Sequence, residues 1–196
     1  MTLAEYRDLR AAIQARGYGS EIEWAESVTP PETATALFFE YGWVVVNSGM
    51  KNQIAEKIWE RILVALRDGE PIATAFGHPG KVAAMQEAWD EREARFGEYL
   101  CASAAGMVFD FIDALPWIGK ITRWHLAKNL GVECAKPDRW LERVASKSAE
   151  TVDSLCARLA SESGDRIATV DLVIWRACNL GLWSGSERPP AEPALV

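Results

Sequence analysis

At 196 residues, with 49% hydrophobic and 25% charged residues, the chain has the make-up of a folded globular protein, long enough for one large domain or two small lobes. That balance excludes disordered, collagenous and coiled-coil classes. The net charge of −7 and pI of about 5.0 argue against a generic nucleic-acid binder that works through an overall positive field.

The N-terminal stretch MTLAEYRDLR carries charges where a secretory leader needs an apolar core. No apolar run approaches the roughly 20 residues that cross a bilayer, so a cytoplasmic protein with no membrane partner is expected. Almost every periodic segment then reads as helix: 3–16, 32–46, 51–67, 80–96, 98–114, 122–130, 137–148, 150–162 and 166–180. The expectation is an all-α chain of about nine or ten helices. Its breakers are Gly17 and Gly19, Pro30-Pro31, Asn47-Ser48-Gly49, Gly69 and Pro71, His78-Pro79-Gly80, Pro116 and Gly119, Gly131, Pro137 and Ser163-Gly164. In 51–67 the residues Ile54, Ile58, Ile62 and Leu66 recur every four positions, which predicts a helix with that face buried. The run Trp43-Val44-Val45-Val46 tempts a strand assignment, but its place inside a longer apolar stretch favours a buried helix. Trp24, Trp43, Trp59, Trp89 and Trp175 lie on apolar faces and are expected in the core. From Ser184 onward, Pro189, Pro190 and Pro193 predict a disordered tail over 184–196, so that the folded domain spans 1–183. The four cysteines, Cys101, Cys134, Cys156 and Cys178, form no CxxC pair. They are expected as reduced core residues, with neither a metal site nor a cofactor.

Charge is distributed unevenly. Between Leu115 and Ser148 stand seven basic residues (Lys120, Arg123, Lys128, Lys136, Arg139, Arg143, Lys147) and three acidic ones (Glu133, Asp138, Glu142), a local net of +4 on a remainder of −11. An acidic body with one basic segment suits a protein that meets a polyanion with one face, and equally a helix surface that is simply rich in lysine. The same segment holds a distinctive pattern. A helix ends near Leu115, a hairpin of Pro116, Trp117, Ile118, Gly119 and Lys120 follows, and a second helix opens near Thr122, a suitable N-cap. The first N–H groups of that second helix can hold a phosphate oxygen, assisted by the helix dipole and by Lys120. Without context the same residues also describe an αα-corner with Leu115 and Ile118 plugging a core. Nineteen residues beyond Gly119, in Lys136-Pro137-Asp138-Arg139-Trp140, the proline favours a helix start and sets Asp138 at its N-terminal end, where a carboxylate is held as the anion.

Together these residues resemble the helix-hairpin-helix DNA glycosylases, whose signature is an L-P-G-[IV]-G hairpin with a catalytic aspartate about twenty residues on. Leu115, Pro116, Ile118 and Gly119 match the hairpin and Asp138 the aspartate. Asn47, Ser48, Gly49 and Met50 sit where the family has the loop that fills the gap left by a flipped base. His78-Pro79-Gly80-Lys81-Val82 resembles a turn-plus-lysine that opens a later helix, and Ile174-Trp175-Arg176 the C-terminal helix with a buried arginine. The resemblance spans roughly 35 to 182. Three departures stand out. Trp117 occupies the place of the first hairpin glycine, so either the backbone there avoids a left-handed conformation or the phosphate contact shifts by a residue. Ile121 stands where bifunctional members carry a Schiff-base lysine, and the four-cysteine cluster of the family is absent. More narrowly, segment 115–141 is similar to a phage-related branch. That branch holds the alpha-glutamyl/putrescinyl thymine pyrophosphorylase-like proteins and an anti-phage glycosylase acting on alpha-glucosylated hydroxymethylcytosine.

The resemblance implies a two-lobed helical fold with its active-site cleft between the lobes, the hairpin lobe covering about 50–148. It implies a monomeric, monofunctional glycosylase that flips a modified base from double-stranded phage DNA and excises it in anti-phage defence. Asp138 is the implied catalytic residue. Trp117, Ile118, Gly119, Lys120, Thr122, Arg123, Lys136, Arg139 and Lys81 are the implied DNA contacts, and Glu40, Tyr41, Asn47, Ser48, Met50 and Trp140 the implied pocket and wedge. Glu40 and Tyr41 as a polar pair in an apolar helix suit reading of a base or sugar hydroxyl, or a satisfied buried acid. Three other activities stay open: a transferase that adds an amine to an activated 5-hydroxymethylpyrimidine, a repair glycosylase for small lesions, and a DNA-binding module without catalysis.

Overall fold

The computed structural model describes residues 1–183; the expected tail over 184–196 lies outside them. Among the described residues all regular structure is helical. In chain order it comprises α1 (Leu3–Ile13), a π-helical turn (Gln14–Tyr18), α2 (Gly19–Ser27), α3 (Ala34–Asn47), α4 (Asn52–Arg67), a 3₁₀ turn (Ile72–Thr74), α5 (Pro79–Asp90), α6 (Arg92–Ala104), α7 (Val108–Ala114), α8 (Thr122–Asn129), α9 (Arg139–Lys147), α10 (Val152–Ser163) and α11 (Ile167–Asn179). No described helix is long and apolar enough to cross a membrane.

The helices gather into two compact units. The first comprises Met1–Thr29 and the described residues from Gly131 onward, the second Pro30–Leu130. In the first, α11 is the hub and packs against α1, α2, α9 and α10. Its sequence is apolar on nearly every side, so Val170, Val173, Ile174, Ala177 and Cys178 are all buried. Arg176 on α11 forms a paired contact with Glu21 of α2 (2.9 and 2.5 Å) and stacks over Tyr18 and Trp175. Arg166, just before α11, reaches the backbone carbonyls of Ala25, Val28 and Gly131 and pairs with Glu133. In the second unit α3 is the hub, against α4, α5, α6 and α8. The Val44-Val45-Val46 run lies in this helix and is fully buried, as its apolar surroundings require. Gly42 lets α4 approach: a Cβ there would sit 2.7 Å from the Trp59 ring.

Several expectations are corrected. The stretch after Gly17 is not a connection but α2; Gly17 takes φ +90°, yet the chain resumes helix at Gly19 with only Ile22 and Ala25 buried, too short an apolar signal to read. The long segments 80–96 and 98–114 divide elsewhere, at Glu91 and at Gly106 (φ +71°), while Gly97 sits inside α6. Trp24 is half exposed, as is Ile54 at the start of the α4 stripe, and Cys101 is exposed rather than in the core. The other three cysteines are buried, and none of the four is in a disulfide. The unit that holds the hairpin is Pro30–Leu130, so residues 131–148, Asp138 included, belong to the other unit.

Candidate functional site

The hairpin is built between α7 and α8 and anchored from beneath. Leu115 is buried, and the hydroxyl of buried Tyr41 on α3 donates to the Pro116 carbonyl at 3.0 Å. Ile118 N–H donates back to the Leu115 carbonyl (3.3 Å) and Arg123 N–H to the Gly119 carbonyl (3.0 Å). Thr122 is not the N-cap. Ile121 takes that place, and the Thr122 hydroxyl accepts from Gly119 N–H at 2.8 Å. The amide of Gly119 is therefore used internally. Those of Lys120, Ile121 and Thr122 donate to no described residue and remain open to an acceptor. Lys120 and Ile121 are exposed.

At Trp117 the first of the two expected alternatives, a backbone that avoids the left-handed region, is not what the turn adopts. The Trp117 backbone is left-handed, at φ +63°, so the turn keeps the conformation that a glycine would supply. For a residue with a Cβ this conformation costs roughly 1–2 kcal/mol. The compensation lies in the turn that opens α5. The indole N–H donates to the Gly80 carbonyl at 3.0 Å, and the ring packs so closely on Gly80 that a Cβ there would lie 2.7 Å from it. The His78 ring meets the indole edge-on at 5.2 Å.

Lys81 follows in the same turn and is only 5% exposed. Expected to face DNA, its ammonium is instead turned inward and donates to the Ser48 carbonyl at 2.6 Å. Burial holds its pKa below the ordinary lysine value. Ser48 caps the end of α3 and opens the connection that follows; Gly49 there has φ +77°, and Ser48, Met50 and Asn47, the last residue of α3, are half-buried. Arg123 braces the hairpin helices: it pairs with Asp113 of α7 at 2.9 Å and lies over the Phe109 and Trp124 rings.

Deeper in the same unit, Glu40 accepts from the side-chain amide of Asn129 at 2.9 Å. Burial pushes the Glu40 carboxyl above the ordinary glutamate range, against the opposing pull of that hydrogen bond. Asn129 is 5% exposed, and its carbonyl oxygen accepts no hydrogen bond. Neither Asn129 nor the supporting part of Gly80 was read from the sequence. A lone asparagine at a helix end and a glycine in a turn carry no signal of burial.

In the other unit Asp138 is the N-cap of α9, with an extended backbone (φ −92°, ψ 167°). The helix thus begins at Arg139 and not at Pro137. A single carboxylate oxygen, Oδ1, accepts from both Trp140 N–H (2.9 Å) and Leu141 N–H (3.1 Å), which leaves the other oxygen outside the cap. The segment before it is tied down as Lys136 N–H donates to Asp171 at 2.7 Å. Asp171 is 2% exposed within the apolar α11, a buried acid that sequence reading missed although an Asp inside such a run is itself a signal. The Cys178 thiol on α11 is pushed up to about 11, by burial first and then by the charge of Asp138. Trp140 packs half-buried against the core of this unit, with the guanidinium groups of exposed Arg139 and half-buried Arg143 5.8 and 5.6 Å from its ring.

The expected residues thus fall into two sets, each assembled in its own unit. The hairpin, Lys81, the 47–50 loop, Glu40 and Tyr41 form one; Lys136, Asp138, Arg139 and Trp140 form the other. No group of three His, Cys, Asp or Glu side chains among the described residues is placed to hold a metal ion. Compared with known protein families, with curated proteins and with solved structures, the chain matches none.

Proposed function

We propose that this chain is a monofunctional DNA glycosylase of the helix-hairpin-helix type, its two compact units serving as the two lobes. Its substrate is a modified base in double-stranded phage DNA, glucosylated hydroxymethylcytosine foremost, and its role is defence of a cell against phage. The observation that carries the reading is the hairpin of residues 115–119. It keeps a left-handed backbone at Trp117, at an energetic cost, and leaves three consecutive amides beyond it without an acceptor. Open amides are ordinary at a helix start, and a left-handed non-glycine residue also occurs at Ala149; what supports the reading is that the two fall together, in a turn bearing the exposed Lys120.

The chemistry follows from that reading. The target nucleotide leaves the stack at a cost of a few kcal/mol, offset by phosphate contact at the hairpin and by the 47–50 loop entering the gap. The C1′–N bond then breaks with its electron pair leaving on the base, and positive charge develops on the sugar. A carboxylate stabilises that charge, and water adds to C1′ while its proton passes to the departing base or to solvent. Asp138 is assigned the carboxylate, with its oxygen outside the α9 cap available for the task. With Ile121 in place of a lysine nucleophile no Schiff base forms, and the product is an abasic site.

The test is incubation with duplexes bearing glucosylated hydroxymethylcytosine, hydroxymethyluracil or ordinary bases, followed by mass analysis of the released material. Free modified base and a strand that breaks only on alkali treatment are expected. Release from none of the duplexes overturns the proposal, and a base that stays attached while gaining an amine identifies a transferase instead.

A further inference from the structure

The turn 78–81 at the start of α5 touches both loops assigned to DNA, and it does so with different atoms. Gly80 offers its carbonyl and its bare Cα face to Trp117 of the hairpin. Lys81, the next residue, sends its ammonium 2.6 Å from the carbonyl of Ser48, in the connection after α3. His78 joins the two arms, since its ring meets the indole and its Nδ1 accepts from Lys81 N–H at 3.3 Å. A lysine that is 5% exposed and aimed at a backbone carbonyl is a poor phosphate contact, because reaching a phosphate would leave that carbonyl without its donor.

We infer that the 78–81 turn is a positioning element, with Lys81 and Gly80 seating the 47–50 loop and the hairpin as one platform and neither residue contacting the nucleic acid. The DNA-facing role of the platform rests on the function proposed above; the seating itself does not.

The experiment compares wild type with Lys81→Met, which keeps the apolar stem and deletes the ammonium. Gly80→Ala serves as a second variant that presses on the indole from the other side. Hydrogen exchange of the free protein reads the seating. Exchange in 47–51 is expected to quicken about tenfold in Lys81→Met, and exchange in 116–121 to quicken in Gly80→Ala, with the remaining helices unchanged. Binding to duplex DNA across a salt series reads the contact: the slope of log affinity against log salt should equal that of wild type, while flipping of a 2-aminopurine reporter drops about tenfold. A slope reduced by about one with unchanged exchange makes Lys81 a phosphate contact and overturns the inference. Unchanged exchange with an unchanged slope overturns it as well. Faster loop exchange in a protein whose wild type flips no base confirms the seating and refutes the DNA reading.

Discussion

On the function proposed above Asp138 would do two jobs, and one substitution can separate them. As N-cap it satisfies two amides of α9, and asparagine caps a helix about as well as aspartate, whereas alanine costs about 1 kcal/mol. Asp138→Asn should therefore keep the melting temperature, and Asp138→Ala should lower it. Glu40 gives a second prediction. Its carboxyl is held above the ordinary value of 4.5 by burial, so the folded state binds its proton more tightly than the unfolded chain. Stability is then greatest below that value and declines as pH rises through the range between the unfolded and folded pKa. Glu40→Gln should flatten this decline and gain on wild type above it, as denaturant titrations from pH 4 to 8 would read; an unchanged pH dependence contradicts the burial of a reluctant acid. At this scale the place of Asp138 at the N-terminal end of its helix was legible from local spacing, whereas the left-handed backbone of Trp117 was not, since a residue with a Cβ argues against it. Nor were Lys81 and Tyr41 legible, because the side to which a side chain turns depends on what packs above it: Ser48 for one, Pro116 for the other.

Among elements, the α3–α4 crossing depends on one missing methyl group. Gly42→Ala would place a carbon 2.7 Å from the Trp59 ring, and the expected loss is about 1–3 kcal/mol in denaturant unfolding. A loss below 0.5 kcal/mol would show that Trp59 yields freely. Helix identity was legible from periodicity in nearly every segment, and the buried run 44–46 was placed rightly in a helix. Boundaries were less so. The corner between α5 and α6 falls at Asp90 and Glu91, two residues with no punctuating chemistry, while Gly97 invited a break and lies within a helix. In α8, Thr122 has the chemistry of a cap, yet its hydroxyl goes to Gly119 because the tight hairpin brings that amide within reach first.

On the scale of the whole molecule, the basic segment that relieves the −7 charge is shared between the two units. Lys120, Arg123 and Lys128 fall in Pro30–Leu130, and Lys136, Arg139, Arg143 and Lys147 in the other unit. Part of it is neutralised at once, since Arg123 pairs with Asp113. Electrostatic grip on unmodified DNA should accordingly be weak at any salt and weaken further as salt screens it. Raising salt from 50 to 200 mM is expected to abolish binding to plain duplex before it affects turnover of the modified one, as titrations on both substrates would read; equal loss on both contradicts a grip that depends on the modified base. The bounds of the two units escaped the sequence, which set the hairpin lobe at about 50–148, because both crossings, at Thr29–Pro30 and at Leu130–Gly131, look like ordinary turns, and only packing decides which helices share a core. On the proposed function it is the charge of Asp138 that drives glycosidic cleavage. The most direct test of that claim is single-turnover release of the modified base by Asp138→Asn. A rate at least about a hundredfold below wild type with unchanged melting temperature and DNA affinity is predicted, whereas release at the wild-type rate would contradict the claim.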